Sequence, residues 1–190
     1  MLCFGAGGSA IALMLAMRLD IAGTLAARQS VLRTGPGARG HLTIVGRDQE
    51  SLGNVRAVRD RCGIPAGGVS LLLAADQEAA ARCVEAAPPE TVIINATGLG
   101  KTGPGSPLPD TAAFPPGAVA WDFNYRGPLT FLSRARQAGV ATEDGWDYFV
   151  AGWSAALAAL TGTDLTPELL SRAAQSARAA RPGRHSSDPR

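Results

Sequence analysis

The sequence predicts an α/β fold: a doubly wound, mostly parallel sheet with helices on both faces, followed by two C-terminal helices. Three observations carry this expectation. Apolar runs with β-branched residues alternate with helix-length amphipathic segments, the pattern of strands buried between two helical layers. The first strand enters a glycine turn at once, in "LCFGAGGSA", and a helix pattern follows it. Two helical segments with no strand between them come near the end.

Leu2 to Phe4 reads as strand one, and helix one runs from about Gly8 into the Ala26 region. "HLTIVG" (41–46) is strand two and Gln49–Arg61 is helix two, with Asp48 placed to cap it. "VSLLLA" (69–74), "DQEAAARCVEAA" (76–87) and "TVIINAT" (91–97) continue as strand, helix and strand. A Gly/Pro-rich loop over 98–117 leads to strand five, "AVAWDF" (118–123), then a helix around Leu129–Ala138 and a short strand at Val140–Thr142. "WDYFVAGWSAALAAL" (146–160) is a helix whose Trp146, Tyr148, Phe149 and Trp153 are expected in the core. The last helix, "ELLSRAAQSARAA", follows a Thr166 cap with Pro167 at its first position. One domain is expected over 1–180 and a disordered tail over 181–190.

The 190 residues carry 18 basic and 16 acidic side chains, a formal charge of +2. The basic residues are scattered, which argues against a nucleic-acid partner. No apolar stretch is long enough for a membrane span, and glycines interrupt the apolar opening where a signal peptide would continue. Cys3, Cys62 and Cys83 are widely spaced and odd in number, with only His41 and His185 beside them. Neither a metal site nor a disulfide framework is supported, and a reduced, cytoplasmic setting is expected. The segment 28–40, "RQSVLRTGPGARG", is longer than the usual helix-to-strand connection; it reads as a surface insertion or as an arm whose Arg28, Arg33 and Arg39 reach cofactor phosphates.

Gly5, Gly7 and Ala10 fit GxGxxA, the dinucleotide fingerprint of Rossmann-type folds. Gly5 permits the turn out of the strand, Gly7 removes a side chain that would hold a pyrophosphate off the backbone, and Ala10 lets the helix pack closely. Gly8 and Ser9 then present N–H groups at a helix N-terminus, which favours an anion. Ala6 completes the turn. At the tip of strand two, "VGRD" places Gly46 where an NAD site carries an acid, and Arg47 follows, which favours the 2'-phosphate of NADP. Asp48 has two readings: helix cap, or ribose ligand of NAD.

"GAGGSA", "VIINATGLG", "WDFNYRGPLTFLSRARQAGV" and "DGWDYFVAGWSAALAALTG" stand in an order and spacing that resemble the C-terminal, cofactor-binding domain of the shikimate and quinate dehydrogenase family. The resemblance implies that Gly5 to Ser9 hold the pyrophosphate and that Gly46, Arg47 and Asp48 stand around the 2'-phosphate. It places Asn95, Ala96, Thr97, Gly98 and Leu99 beside the nicotinamide ribose. Phe123 and the Gly145 carbonyl are expected near the nicotinamide, and Tyr125 at the substrate, a hydroxy- or keto-cyclohexene carboxylate. Asp122, Tyr125 and Thr130 keep the family spacing. The chain departs from the pattern at Lys101, where an apolar residue is common, at Gly127, where Pro is expected, and at Gly152, where the family has a glutamine that contacts substrate hydroxyls.

The resemblance further implies a substrate domain ahead of the cofactor domain, carrying the catalytic Lys and Asp. Lys101 is the sole lysine of this chain, so no catalytic residue is assigned within it, and the first half of the family's architecture is expected to be missing. Lys101 reads either as a solvent-facing loop residue or as a contact of the substrate carboxylate. Two functions stay open: the NADP-binding part of a shikimate-type dehydrogenase, inactive alone, or a non-catalytic dinucleotide-binding module. The partner is then a homodimer mate or a separate substrate-domain chain.

Overall fold

Leu2–Phe4 forms β1, and this three-residue strand lies in the middle of the sheet because both of its edges are paired. The computed structural model describes residues 1–18, 40–101 and 103–181. The expected continuation of helix one to Ala26, the arginines at 28, 33 and 39, and residues 182–190 of the expected tail lie outside them.

After α1 (Gly8–Arg18) come β2 (Leu42–Gly46), α2 (Gln49–Arg61), β3 (Val69–Leu73), α3 (Gln77–Glu85) and β4 (Val92–Asn95). β5 (Val119–Asp122), α4 (Thr130–Gln137) and β6 (Ala141–Glu143) complete the sheet, and α5 (Trp146–Thr161) and α6 (Pro167–Ala180) follow. The order is β3-β2-β1-β4-β5-β6 with every pairing parallel. The sheet is therefore Rossmann-type, as expected, and its connections reverse direction between β1 and β4.

Parallel strands alternate their side chains between two faces, so register decides which residues share a helix layer. Leu2, Phe4, Val45, Ile93 and Ala120 join one core with Ala80 and Val84 of α3 and with Phe131, Leu132 and Ala135 of α4. Each large apolar side chain closed off there contributes about 1.5–3 kcal/mol. Cys3 stands opposite Ile44 and Ile94 in register and so points to the other face; burial there pushes its thiol up to about 12. α2 covers that second face, since Leu52 packs over Gly46, which shares its side with Ile44.

Caps set the helix starts. Asp48 and Asp76 are extended residues whose carboxylates accept the N–H of Ser51 and Ala79, each at 2.7 Å, at the starts of α2 and α3. Thr166 does the same for Leu169 at 3.2 Å, with Pro167 next, as the sequence leads one to expect.

By its internal contacts the chain divides into two units, Met1–Gly145 and Trp146–Arg190. In the second unit α5 and α6 pack together, Arg178 pairs with Asp147 at 3.4 Å, and Arg181 lies 5.2 Å from the Trp146 ring. The expectation of four core aromatics on α5 needs correction. Trp146, Tyr148 and Phe149 are half-buried, and Trp153 is 57% exposed. Its ring touches Phe149 at 6.3 Å, but it shares an outward stripe with Leu157 and Leu160. A helix that is apolar all round presents more surface than one partner helix covers. No described helix is long and apolar enough to cross a membrane.

Candidate functional site

The chain leaves β1 through Gly5, whose φ of +110° is open to glycine and strained for any other residue. Its N–H donates to the Val45 carbonyl at 2.8 Å, and a β-carbon here would stand 2.7 Å from the Ala96 carbonyl oxygen. Gly5 is thus fixed by the ends of β2 and β4 on either side. Gly7 and Gly8 are different: both are exposed, and a β-carbon on either would meet nothing within 4 Å. They open α1, whose first-turn N–H groups have no partner inside the helix. Ser9 is half-buried and Ala10 fully buried beneath them. The residues fit a pyrophosphate: backbone donors, a helix N-terminus and no side chain in the way.

At the tip of β2, Gly46 does not leave the open space that its lack of a side chain suggests. A β-carbon there would lie 2.7 Å from Cγ of Leu52 and 3.2 Å from Cβ of Ala6, so α2 and the glycine turn already fill the volume. Arg47 is exposed beyond it. Asp48 caps α2 with both oxygens: Oδ1 accepts the Ser51 N–H at 2.7 Å and Oδ2 the Ser51 hydroxyl at 3.0 Å. These bonds, the backbone one foremost, hold its carboxyl below the usual range.

The ends of β4 and β5 are joined by a buried polar network. Asn95 Nδ2 donates to the Leu99 carbonyl at 3.2 Å and to Asp122 Oδ2 at 3.0 Å, while its Oδ1 accepts the Thr97 N–H at 3.1 Å and hydroxyl at 2.6 Å. Asn124 adds its N–H to Asp122 Oδ1 at 2.9 Å and its Nδ2 to the Leu99 carbonyl at 3.1 Å. Asn95, with two donors and two acceptors, is fully satisfied, and the turn over Ala96, Thr97, Gly98 and Leu99 is held from both strands. Burial pushes the Asp122 carboxyl up to about 6, against the pull of the Asn124 and Asn95 N–H groups. Asn124 escaped sequence reasoning; its one signal is the Asp-Phe-Asn spacing, which lets a carboxylate accept a backbone N–H two residues on.

Gly145 is demanded by packing, since a β-carbon on it would overlap the Phe123 carbonyl oxygen, and its N–H donates to the Asn124 carbonyl at 2.9 Å. Phe123 is buried, edge-on to Trp121 at 4.8 Å. Tyr125, half-buried, has the Lys101 ammonium 5.7 Å and the Arg126 guanidinium 5.9 Å from its ring centre. Glycine turn, β2 tip and polar network thus all stand at the carboxyl ends of parallel strands, where open α/β sheets bind ligands. A cavity of about 540 Å³ between loop 106–114 and α4 is lined by none of the expected cofactor residues. There Arg134 closes the loop on itself, donating to the Leu108 carbonyl at 2.5 Å and pairing with Asp110.

No protein-family model and no curated protein sequence matches the chain. Solved structures do. A shikimate 5-dehydrogenase from Listeria monocytogenes in complex with shikimate and NAD is 19% identical over 93% of this chain and 54% of its own, with a TM-score of 0.62. The Thermus thermophilus enzyme in complex with shikimate is 24% identical over 94% and 53%, with a TM-score of 0.52. A shikimate dehydrogenase in complex with NADP+ is 18% identical over 92% and 53%, with a TM-score of 0.58. The chain spans about half the length of the structures it matches. It has the Rossmann-type fold of the part of these shikimate dehydrogenases that it spans.

Proposed function

We propose that the chain is the NADP-binding part of an oxidoreductase of the shikimate dehydrogenase type, whose reaction is reduction of a ring ketone such as that of 3-dehydroshikimate. The observation that carries this reading is the contrast within the glycine turn. Gly5 is a packing necessity, but Gly7 and Gly8 have empty space on their side-chain sides, a freedom that packing does not explain and that close approach of a pyrophosphate does. The likeness in fold to enzymes solved with NADP+ and with NAD supports a nicotinamide dinucleotide.

When bound, the cofactor supplies the hydride. The roles left to this chain are to hold and orient it. Gly5–Ser9 receive the pyrophosphate, and the turn Asn95–Leu99 offers a rigid wall for the ribose. Phe123 and Gly145, locked to each other through backbone, form the floor expected at the nicotinamide. NADP is favoured over NAD because Arg47 is exposed at the β2 tip while both Asp48 oxygens are turned to Ser51. The ligand of the whole enzyme is a small ring carboxylate, and its proton donor lies in a substrate domain.

The second reading, a dinucleotide-binding module without turnover, is favoured by one observation: the sole lysine lies against a tyrosine ring and forms no ion pair with an aspartate among the described residues. General acid help contributes about a hundred- to ten-thousandfold, and lost substrate orientation removes more. The 190-residue chain should therefore bind NADPH by calorimetry yet show no reduction of 3-dehydroshikimate, and should turn over once joined to a substrate domain bearing the Lys and Asp. Absence of dinucleotide binding defeats both readings; turnover by the chain alone, abolished in Lys101→Ala, defeats the division of labour.

A further inference from the structure

We propose that Leu52 is a positioning residue for dinucleotide selectivity: from α2 it occupies the place at the β2 tip where a side chain on residue 46 would stand. The inference rests on the reading above for the ligand and deepens it, whereas the packing beneath it is independent of that reading. Gly46 closes β2 as an ordinary strand residue, paired with Leu73 of β3, and its carbonyl accepts the Ala74 N–H at 2.9 Å. Its φ is not positive, so the backbone there suits any residue, and a glycine inside a strand weakens it. The demand for glycine comes from the side-chain direction alone. A β-carbon at 46 would stand 2.7 Å from Cγ and 2.8 Å from Cδ2 of Leu52, and 3.2 Å from Cβ of Ala6 in the glycine turn.

Leu52 is not free to give way. It is 3% exposed and, with Val55, forms the buried side of α2. The turn that carries it is pinned, because the Asp48 carboxylate holds both the N–H and the hydroxyl of Ser51, and the Leu52 N–H donates to the Asp48 carbonyl at 3.4 Å. The nearest atom is the branch point Cγ, so turning the terminal methyls does not relieve the overlap.

In dinucleotide sites of this topology an acid at the end of the second strand binds the ribose 2'-hydroxyl, and an arginine nearby receives a 2'-phosphate. Leu52 withholds that place from every side chain, the acid included, and the Asp48 carboxylate is committed to Ser51. Arg47, exposed next to Gly46, is left to decide between hydroxyl and phosphate. Preference for NADP is thus set from beneath the site, by a side chain of the core acting through position 46.

Variants of the full chain, read by urea melts and by calorimetric titration with NADP+ and NAD+, test the pair. Gly46→Ala should lower the urea midpoint, and Gly46→Ala/Leu52→Ala should be more stable than Gly46→Ala, since the shortened leucine makes room for the new methyl. Gly46→Asp alone should gain no affinity for NAD+. Gly46→Asp/Leu52→Ala, shown by its melt to be folded, should bind NAD+ about tenfold more tightly and NADP+ at least about tenfold less tightly than the unaltered chain. Leu52→Met, which conserves volume, should leave both affinities where they were. A Gly46→Ala chain as stable as the unaltered one, or a double variant no more stable than Gly46→Ala, would overturn the packing. Equal gains of NAD+ affinity in Gly46→Asp with and without Leu52→Ala, or no gain in the double variant while the unaltered chain binds NADP+, would overturn the role of Leu52 and leave the dehydrogenase reading standing. Failure of the unaltered chain to bind either dinucleotide, with the stability coupling intact, would defeat that reading and the selectivity role together and leave only the packing.

Discussion

The Ala96 carbonyl oxygen lies 2.7 Å from the point that a β-carbon on Gly5 would occupy, and the next glycine of the fingerprint, Gly7, faces nothing within 4 Å. Two glycines of one motif therefore answer to different demands. Gly5→Ala should destabilise the fold by about 3 kcal/mol or more, combining a strained positive φ with displacement of the end of β4. Gly7→Val should leave urea stability within about 0.5 kcal/mol and abolish dinucleotide binding. A Gly7→Val chain that still binds NADPH would reduce the turn to a packing device.

Arg47→Ala tests the 2'-phosphate contact. Affinity for NADP should fall by about 1.5–3 kcal/mol, the range for a charge-assisted hydrogen bond, and affinity for NAD should stay the same. Equal losses for both, in calorimetric titration, would remove the phosphate from the account.

Asp48→Ala separates cap from ligand. Because both carboxylate oxygens face Ser51, the substitution should cost about 1 kcal/mol of stability and leave NAD affinity where it was. A tenfold loss of NAD affinity in a chain of normal stability would mean that the carboxylate turns to the ribose.

Asp122 predicts a pH dependence of stability. Burial raises its carboxyl from the ordinary 3.8 to about 6, so the folded chain binds this proton more tightly than the unfolded one. The stabilisation is full below about pH 4 and is lost as pH rises through about 6. A shift of roughly two units corresponds to about 3 kcal/mol. Urea melts of the chain and of Asp122→Asn should show a stability difference that moves against the unaltered chain by about that much between pH 4 and pH 7. A difference independent of pH would show that the carboxyl titrates normally.

The alternation of apolar runs made the sheet and its helices legible, because buried parallel strands and amphipathic helices carry different periods. Asp48 and Thr166 were readable as caps for the same local reason. What the sequence did not reveal lies in contacts between distant segments. The emptiness at Gly46 is filled by Leu52 from the next helix, and Asn124 reaches the Leu99 carbonyl across two strands. Trp153 was misplaced because an all-apolar helix gives no sign of which stripe goes uncovered.

The central position of β1 bears on the order in which the chain assembles. Leu2 pairs with Thr43 on one side and with Ile93 on the other, so the strand waits for partners that a ribosome delivers much later. Non-local pairings of this kind pay loop-closure entropy before any contact is gained, and they slow folding. Gly5 shares the delay, since its walls come from Val45 and Ala96. The glycine turn, written in the first ten residues, thus acquires its shape only after the end of β4 has been made. Synthesis halted before Asn95 would leave a motif that reads as a nucleotide site and has no affinity for one.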